Sequence, residues 1–262
     1  MDSPPPLTPD PNSTSADPST TVETSLGARL ANIIAAPGEV FEEVVASPVK
    51  SGNWLLPALL ACIASIIFNV LVFSQESIVR EIRAISTQSI QAKIDEGKMP
   101  ADQGKKAIEG IESMITPLTM TIFGSVSGVA MVFIEVFTIA GILWLVAITL
   151  LKSEVRYMKW VELTGLTMTV DALQKLIRGF LAVWKGTLLA NPGPVLFVDS
   201  PALTRKHDLI LSTLDLTDIW WLCLVALALA TAGKVRPWKA ILSVLGVWYA
   251  FRIGWICLTV PH

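Results

Sequence analysis

The composition of this 262-residue chain excludes an ordinary soluble domain. Hydrophobic residues make up 52% of it and charged residues 16%, whereas soluble globular domains carry about 25% charged residues. The formal net charge is −2 and the mean hydropathy is +0.59. We therefore predict an all-α integral membrane protein, because a helix satisfies its own backbone hydrogen bonds in lipid.

The chain begins with a polar segment over residues 1–24 that is rich in Pro, Ser and Thr. Such a segment offers too little apolar surface to offset the entropy of ordering, so we expect a disordered, mildly acidic cytoplasmic tail. It has no apolar stretch and no basic start, and we therefore expect no signal peptide. The membrane domain is predicted over residues 25–260.

Two short amphipathic helices are predicted at the start of this domain. Ser25 is placed to cap the first helix, which carries Leu26, Leu30 and Ile33 on one side. Pro37 is placed to open the second helix. Helices this short are marginal in water, so we expect them on the cytoplasmic surface of the membrane or packed under the bundle.

Five stretches are expected to span the membrane, because a helix needs roughly 20 residues to cross about 30 Å of hydrocarbon. They cover residues 54–73, 126–150, 160–184, 219–232 and 238–260. The second belongs to an apolar tract that we interpret as one span with a helical extension kinked near Pro117. The third is polar for a span, but Trp160 and Trp184 bracket it at the spacing of the two membrane interfaces.

The long connection over residues 76–114 is predicted to form a helical hairpin. Ile78, Ile82 and Ile85 share one helical face, and isoleucines recur with helical spacing from Ile108 onwards. Residues 96–100 have the composition of a turn. The hairpin is expected to lead into the second span.

The distribution of Lys and Arg predicts a cytoplasmic N-terminus. Cytoplasmic connections collect positive charge, and two short connections are basic: one contains Lys152, Arg156 and Lys159, and the other contains Lys234, Arg236 and Lys239. The hairpin then lies outside, where long connections are translocated regardless of their charge.

Five ionisable residues fall at predicted membrane depth, where an unpaired charge is costly. They are Glu135, Asp171, Lys175, Arg178 and Arg252. One interpretation is a proton or ion relay through the bundle. The other, which we favour, is a charge-compensated cluster that orients the helices. As a hypothesis, Glu135 pairs with Arg252 or with Lys175.

Small residues also recur at helical spacing in two of the predicted spans. Gly124 and Gly128 form one such pair, and Ala250 and Gly254 form another. They allow close approach of helix backbones. This predicts packing within the chain or, as the less favoured alternative, a homo-oligomer.

The sequence contains little that could carry chemistry. Its histidines are His207 and His262, and the cysteines Cys62, Cys223 and Cys257 all fall within predicted spans. No nucleophile stands beside a base, and no thiol metal site or phosphate-binding loop is indicated. We therefore expect neither an enzyme nor a cofactor or metal.

The order of these features resembles the Yip (Ypt/Rab-interacting protein) membrane family in its bacterial form. The resemblance rests on Ala-Ala-Pro37, Val40-Phe41-Glu-Glu-Val44, Ser47-Pro48 and Trp54-Leu-Leu-Pro57, and later on Leu214-Asp215-Leu216-Thr-Asp-Ile219-Trp220 and the segment from Lys234 to Ala240. It extends over about residues 25–258. It implies a bundle of five helices with a cytoplasmic N-terminus, as the charge distribution also predicts.

In eukaryotic members the domain is associated with Rab-type GTPases, vesicle traffic and curved membrane. The Asp-Leu-Tyr-Gly-Pro and Gly-Tyr motifs typical of those proteins are absent here, and neither Tyr157 nor Tyr249 follows a glycine. A trafficking role is therefore not expected. The resemblance favours the bacterial inner membrane, with an endoplasmic reticulum or Golgi membrane as the alternative.

Two classes of function remain open from the sequence. The first is a non-enzymatic membrane scaffold that engages lipid, a membrane-protein partner or a second copy of the chain, with no nucleic acid. The second is a small transporter or channel that uses the intramembrane charges. Many transporters show internally repeated halves, and the lack of such a repeat here favours the scaffold.

Overall fold

The computed structural model describes residues 24–199 and 201–259, and the predicted tail lies outside them apart from Thr24. Within these ranges the chain forms 10 α-helices and no strand. The helices are α1 (Leu26–Ala35), α2 (Pro37–Ala46), α3 (Gly52–Phe73), α4 (Glu76–Asp95), α5 (Ala101–Met114), α6 (Pro117–Thr149), α7 (Tyr157–Lys185), α8 (Lys206–Ser212), α9 (Leu216–Gly233) and α10 (Pro237–Thr259). The predicted all-α membrane bundle with short amphipathic helices is confirmed.

Four of the described helices are long and apolar enough to cross a membrane: α3, α6, α9 and α10. Four of the five predicted spans fall on them. Large apolar side chains cover the outward faces of α3, α6 and α10, as at Ile63, Phe123 and Val247. In a membrane these faces contact lipid, because water would leave so large an apolar area unfavourably solvated. The chain is an integral membrane protein.

The remaining predicted span, 160–184, forms α7, which contains six charged residues. In the described chain, no other pair of helices packs as extensively as α3 and α7. The two run parallel, since Gly165 meets Trp54 near their starts and Gly179 meets Phe68 fourteen residues further on. A helix that follows α3 along its length crosses whatever α3 crosses, so we infer that α7 is the fifth span.

The long helices alternate in direction. On α6, Gly124 meets Asn69 and Phe73 of α3, whereas Gly128 meets Ser65, so α6 runs antiparallel to α3. We call the end of the bundle where α3 and α7 begin the basal end, and the opposite end the distal end. The two basic connections lie together at the basal end, where the Ser153 hydroxyl donates to the Ala232 carbonyl at 3.4 Å.

The glycine pair of α6 serves packing within the chain, as favoured from the sequence. The other pair of small residues behaves differently. Ala250 is exposed, and a Cβ added at Gly254 would meet no described atom within 4 Å. Ala250 and Gly254 therefore contribute nothing to the packing of the described bundle.

The predicted kink near Pro117 is wrong. A single helix of 33 residues begins at Pro117, and the Thr116 side chain caps it by accepting from the Thr119 backbone N–H. The first residue of a helix has no intrahelical partner for its N–H, so proline starts the helix without breaking a hydrogen bond. The cap predicted at Ser25 is observed, and Pro37 is the first residue of α2, as predicted.

The segment between α7 and α9 folds back onto the distal end of the bundle. The Asn191 side chain donates to the Ser212 carbonyl at 2.7 Å, and the Leu216 N–H donates to the Pro192 carbonyl at 3.1 Å. This fold lets α9, with 18 residues, start beside Arg178 instead of beside the end of α7. The first turn of α9 therefore lies about 10 Å inside the distal end of α7.

We predict that Gly165→Ala destabilises the bundle by about 1 to 3 kcal/mol, as expected when extra volume is forced into a packed core. The added Cβ would collide with the Cα and Cβ of Trp54, and a backbone atom cannot move aside without separating α3 from α7. The measurement is SDS-induced unfolding in mixed micelles, followed by circular dichroism. The matched control is Gly246→Ala on α10, where an added Cβ meets nothing within 4 Å. Equal stability of the two variants would contradict the close packing.

Candidate functional site

The structure gathers the predicted intramembrane charges around the first turn of α9. Asp171, Lys175 and Arg178 lie on α7, Glu135 on α6 and Arg252 on α10. Three further residues join them, Gln174 of α7 and the two acids Asp215 and Asp218 at the start of α9. We call these eight residues the distal cluster.

Asp215 is the fully buried centre of the distal cluster, with 0% of its surface exposed. It is the N-cap of α9, and one carboxylate oxygen accepts from the backbone N–H and the hydroxyl of Thr217 at 2.7 and 2.6 Å. The other oxygen accepts from the Arg178 guanidinium at 2.6 Å. The carboxylate therefore has a cation on one side and the positive end of a helix dipole on the other.

Asp218 connects three helices, one turn further along α9. One of its oxygens accepts from Arg178 at 2.9 Å and from Arg252 at 2.6 Å. The other accepts from the side-chain amide of Gln174. Two guanidinium groups on one carboxylate fix α7 and α10 against α9, which no apolar contact could do with the same directionality.

The predicted pairing of Glu135 is wrong. Lys175 pairs with Asp171 one turn away on α7, and Arg252 pairs with Asp218. Among the described residues Glu135 makes neither an ion pair nor a side-chain hydrogen bond, although it is half-buried and close enough to Asp171, Lys175 and Asp218 to interact electrostatically. Asp218 lies just before the predicted span 219–232, so the sequence gives no indication that it pairs with Arg252.

The distal cluster contains one more carboxylate than it has cations. Three basic residues, Lys175, Arg178 and Arg252, face four acids, and each cation has an acidic partner. Glu135 is the acid left over. Such a cluster can orient α7, α9 and α10 through its ion pairs, while Glu135 offers one carboxyl group that could take up a proton or a cation.

A second set of buried polar residues lies at the basal end, and we call it the basal network. It consists of Arg29, Glu43, Asn53, Lys159 and Glu162. Glu162 on α7 is 0% exposed. Its carboxylate accepts from the Asn53 side chain and from the Lys50 backbone N–H at the beginning of α3. The negative charge thus lies at the N-terminus of a helix, where the dipole favours it.

Lys159 provides the positive counterpart of Glu162. Its ammonium group donates to Glu162 at 2.5 Å and to the carbonyls of Val44 and Ser47 at 2.8 and 2.9 Å. Val44 belongs to the last turn of α2, where carbonyls have no helical partner and the dipole favours a cation. The prediction that Lys159 belongs to a cytoplasmic loop is wrong, because it lies in the first turn of α7 and is buried.

Arg29 fastens α1 to the basal network. It is only 2% exposed and donates to Glu43 at 2.8 Å and to Asn53 at 3.1 Å. The hydrogen bond from Arg29 holds the pKa of Glu43 below its ordinary value. Residues of α1, α2, α3 and α7 are thereby joined at one point.

Part of this arrangement has a signal in the sequence. Arg29 stands on the same helical face as Ile33, and a charge within an apolar face indicates a buried partner. Asp215 precedes an apolar run, as an N-cap does. The pairing itself has no such signal, because Glu162 and Asn53 are more than a hundred positions apart.

The described residues contain no group of three or more His, Cys, Asp or Glu side chains arranged to hold a metal ion. In both polar sets acids pair with bases, either within α7 or between helices. Their chemistry is therefore charge compensation, with Glu135 as the one exception.

These observations define a class of protein, a polytopic helical membrane protein. The chain belongs to the Yip1 domain family, since the Yip1 domain model matches residues 31–258. That match includes the whole distal cluster and all of the basal network except Arg29. No curated protein and no solved structure was found to match the chain.

We predict that Asp218→Asn lowers the free energy of unfolding by about 3 kcal/mol, the lower end of the range for breaking a buried ion pair. The lower end applies because the guanidinium side chains keep 29% and 31% of their surface exposed. The double variant Asp218→Asn/Arg252→Gln should cost less than the sum of the single changes, because it leaves one unpaired cation fewer. SDS titration of the four proteins measures the coupling.

Glu135→Gln is the matched control for this prediction. It makes the same change of carboxylate to amide at membrane depth, but at a residue without an ion pair in the described structure. We expect it to cost under about 1 kcal/mol. A loss as large as that of Asp218→Asn would contradict the assignment of the ion pairs.

We predict that α1 and α2 loosen at acidic pH. The folded pKa of Glu43 is below its ordinary value of 4.5, so its stabilising contribution is complete above that value and is lost as pH falls through the folded pKa. Cleavage of the α1–α2 segment by pepsin should rise steeply below pH 4.5 in the native chain. At each pH the rate is compared with that of Glu43→Gln, which corrects for the activity of pepsin itself.

The Glu43→Gln protein should be cleaved faster than the native chain near neutral pH with a tolerant protease, and it should lack the acidic step. Glu42→Gln, a change at an exposed position of the same helix, should keep the step. If Glu43→Gln retains the step, another group is responsible for it.

Proposed function

We propose that this protein is a non-enzymatic membrane scaffold or interaction protein of the Yip type. The observation that carries the proposal is the use of the intramembrane cations. Lys175, Arg178 and Arg252 each have an acidic partner within the bundle. The pairs of Arg178 and Arg252 join different helices and orient them, and charges engaged in this way do not form a series of free groups along a path for ions.

The basal network supports the same proposal. It holds α1 and α2 rigidly against the starts of α3 and α7, so these helices offer a fixed surface at the basal end. That surface carries exposed apolar and acidic residues, such as Ile34, Glu39 and Glu42. A fixed amphipathic surface is suited to contact with lipid headgroups, a membrane-protein partner or a second copy of the chain. Nucleic acid is not among the proposed partners.

The basal end is proposed to face the cytoplasm, because both basic connections lie there. The bacterial inner membrane is the proposed location, and a membrane of the endoplasmic reticulum or Golgi is the alternative. A cytoplasmic basal end places α1 and α2 where cytoplasmic partners can reach them.

A second candidate function is a small transporter or channel, and Glu135 is the observation that favours it. This carboxyl group lies within α6 without an ion pair among the described residues, and it faces the charges of α7 and α9. A group of this kind can exchange a proton or bind a monovalent cation during transport.

The two candidates are distinguished by ion flux. The full chain is reconstituted in vesicles, and proton and monovalent-cation flux under an imposed gradient is compared with that of empty vesicles. We expect no flux above the background, because the cations of the distal cluster are paired. Circular dichroism and SDS titration of the same preparation establish that the reconstituted protein is folded.

The variants Glu135→Gln and Arg252→Gln make the flux experiment decisive. Flux that Glu135→Gln abolishes, in a protein of native stability, would replace the scaffold proposal by the transporter. Arg252→Gln breaks an ion pair and serves as the comparison, since it can lower flux through instability alone. Lys105→Gln, an exposed change on α5, is the control expected to leave every readout unchanged.

A further inference from the structure

A polar groove lies on the hairpin of α4 and α5, apart from the distal cluster and the basal network. Its volume is about 520 Å³, and it is open to the surroundings. Its lining consists of Arg80, Arg83, Ala84, Thr87, Gln88, Gln91 and Glu112. Most of these residues follow one face of α4 at helical spacing, and neither proposed function uses them.

The groove is held next to the ends of two membrane spans. Ile78 and Val79 at the start of α4 are buried together with Val72 and Phe73 at the end of α3. Arg83 donates two hydrogen bonds, of 3.2 and 2.6 Å, to the carbonyl of Ile115 just before α6 begins. Since α3 and α6 are both long and apolar enough to cross the membrane, the first turns of α4 lie at the membrane surface.

The charge of the groove is positive, and its chemistry is that of a hydrogen-bond donor. Arg80 and Arg83 provide two guanidinium groups against one carboxylate, Glu112. Arg80 is exposed and makes neither an ion pair nor a side-chain hydrogen bond with any described residue. Thr87 and Gln88 add neutral donors on the same face. Guanidinium groups match the geometry of phosphate oxygens, to which they donate in pairs.

Position and chemistry together indicate an anionic group carried by the membrane itself. A phosphate diester at the membrane surface lies at the level of the first turns of α4, and basic residues at that level are attracted to anionic lipid. The apolar first turns of α6 begin next to the Arg83–Ile115 contact and lead into the membrane. Leu118 and Ile122 are exposed there and can contact acyl chains.

We propose that this groove binds the phosphate of an anionic phospholipid headgroup, with Arg80 as the principal contact and Arg83 as the second. Arg83 is already oriented by the Ile115 carbonyl, which limits the side-chain entropy lost when a phosphate binds. Arg80 remains available for it. The proposal depends on neither the scaffold nor the transporter function.

The test uses the full chain in a non-ionic detergent with fluorescent short-chain phosphatidylglycerol, and binding is followed by anisotropy. Phosphatidylcholine, which has no net charge, is the comparison lipid, and inorganic phosphate is added as a competitor. We expect preferential binding of phosphatidylglycerol and weakening by about tenfold in Arg80→Gln, the loss of one charge-assisted hydrogen bond. Because Arg80 has no ion pair or side-chain hydrogen bond to lose among the described residues, SDS titration should give native stability.

Lys105→Gln on α5 is the matched control, because it removes the same charge from an exposed position of the hairpin outside the groove. It should leave lipid binding unchanged. Equal weakening by Lys105→Gln and Arg80→Gln would overturn the proposal in favour of general electrostatic attraction, as would equal binding of the two lipids. Competition by inorganic phosphate at concentrations comparable to the lipid would contradict the proposal that the bound phosphate belongs to a lipid, and would identify a site for free phosphate.

Discussion

The structure depends on a charged helix that is buried inside an apolar bundle. Helix α7 carries six charged residues, yet it packs against α3, α6 and α9 and about half of its residues are buried. An unpaired charge in such surroundings costs several kcal/mol. Its charged side chains must therefore find partners, and the positions of those partners decide where α1, α2, α9 and α10 are placed. Apolar contacts alone would hold the helices together without fixing their rotation.

At both ends of α7, the buried charges are stabilised by the termini of neighbouring helices as well as by ion pairs. At the basal end Glu162 lies at the N-terminus of α3, and Lys159 lies at the C-terminus of α2. At the distal end Asp215 caps α9 and accepts from Arg178. In each case a helix terminus, with its unsatisfied backbone groups, shares the charge with an ionised partner. Pairing and capping are thus achieved by the same side chains.

The outer helices have less demanding surroundings. Most large side chains on the outward faces of α3, α6 and α10 are apolar and exposed, which lipid tolerates and water does not. Of the described residues of α10, Ala240 alone is buried, so its place in the bundle rests mainly on α9 and on the ion pair of Arg252. The exposed helix α10 is therefore held to α9 partly by the ion pair between Arg252 and Asp218, whereas the highly charged helix α7 lies at the centre of the bundle.

The sequence by itself determined the class of the protein. Apolar length predicted the long helices, the Ser25 cap and Pro37 at a first helical position predicted the starts of the amphipathic ones, and the family followed from short motifs along the chain. These features depend on neighbouring residues and on the low polarity of lipid, so local patterns are sufficient. Only the tertiary structure decided that Arg252 pairs with Asp218 instead of Glu135, that Lys159 is buried, and that α7 is central. Those outcomes depend on which helices meet, and ion pairs between residues far apart in the chain leave no periodicity to read.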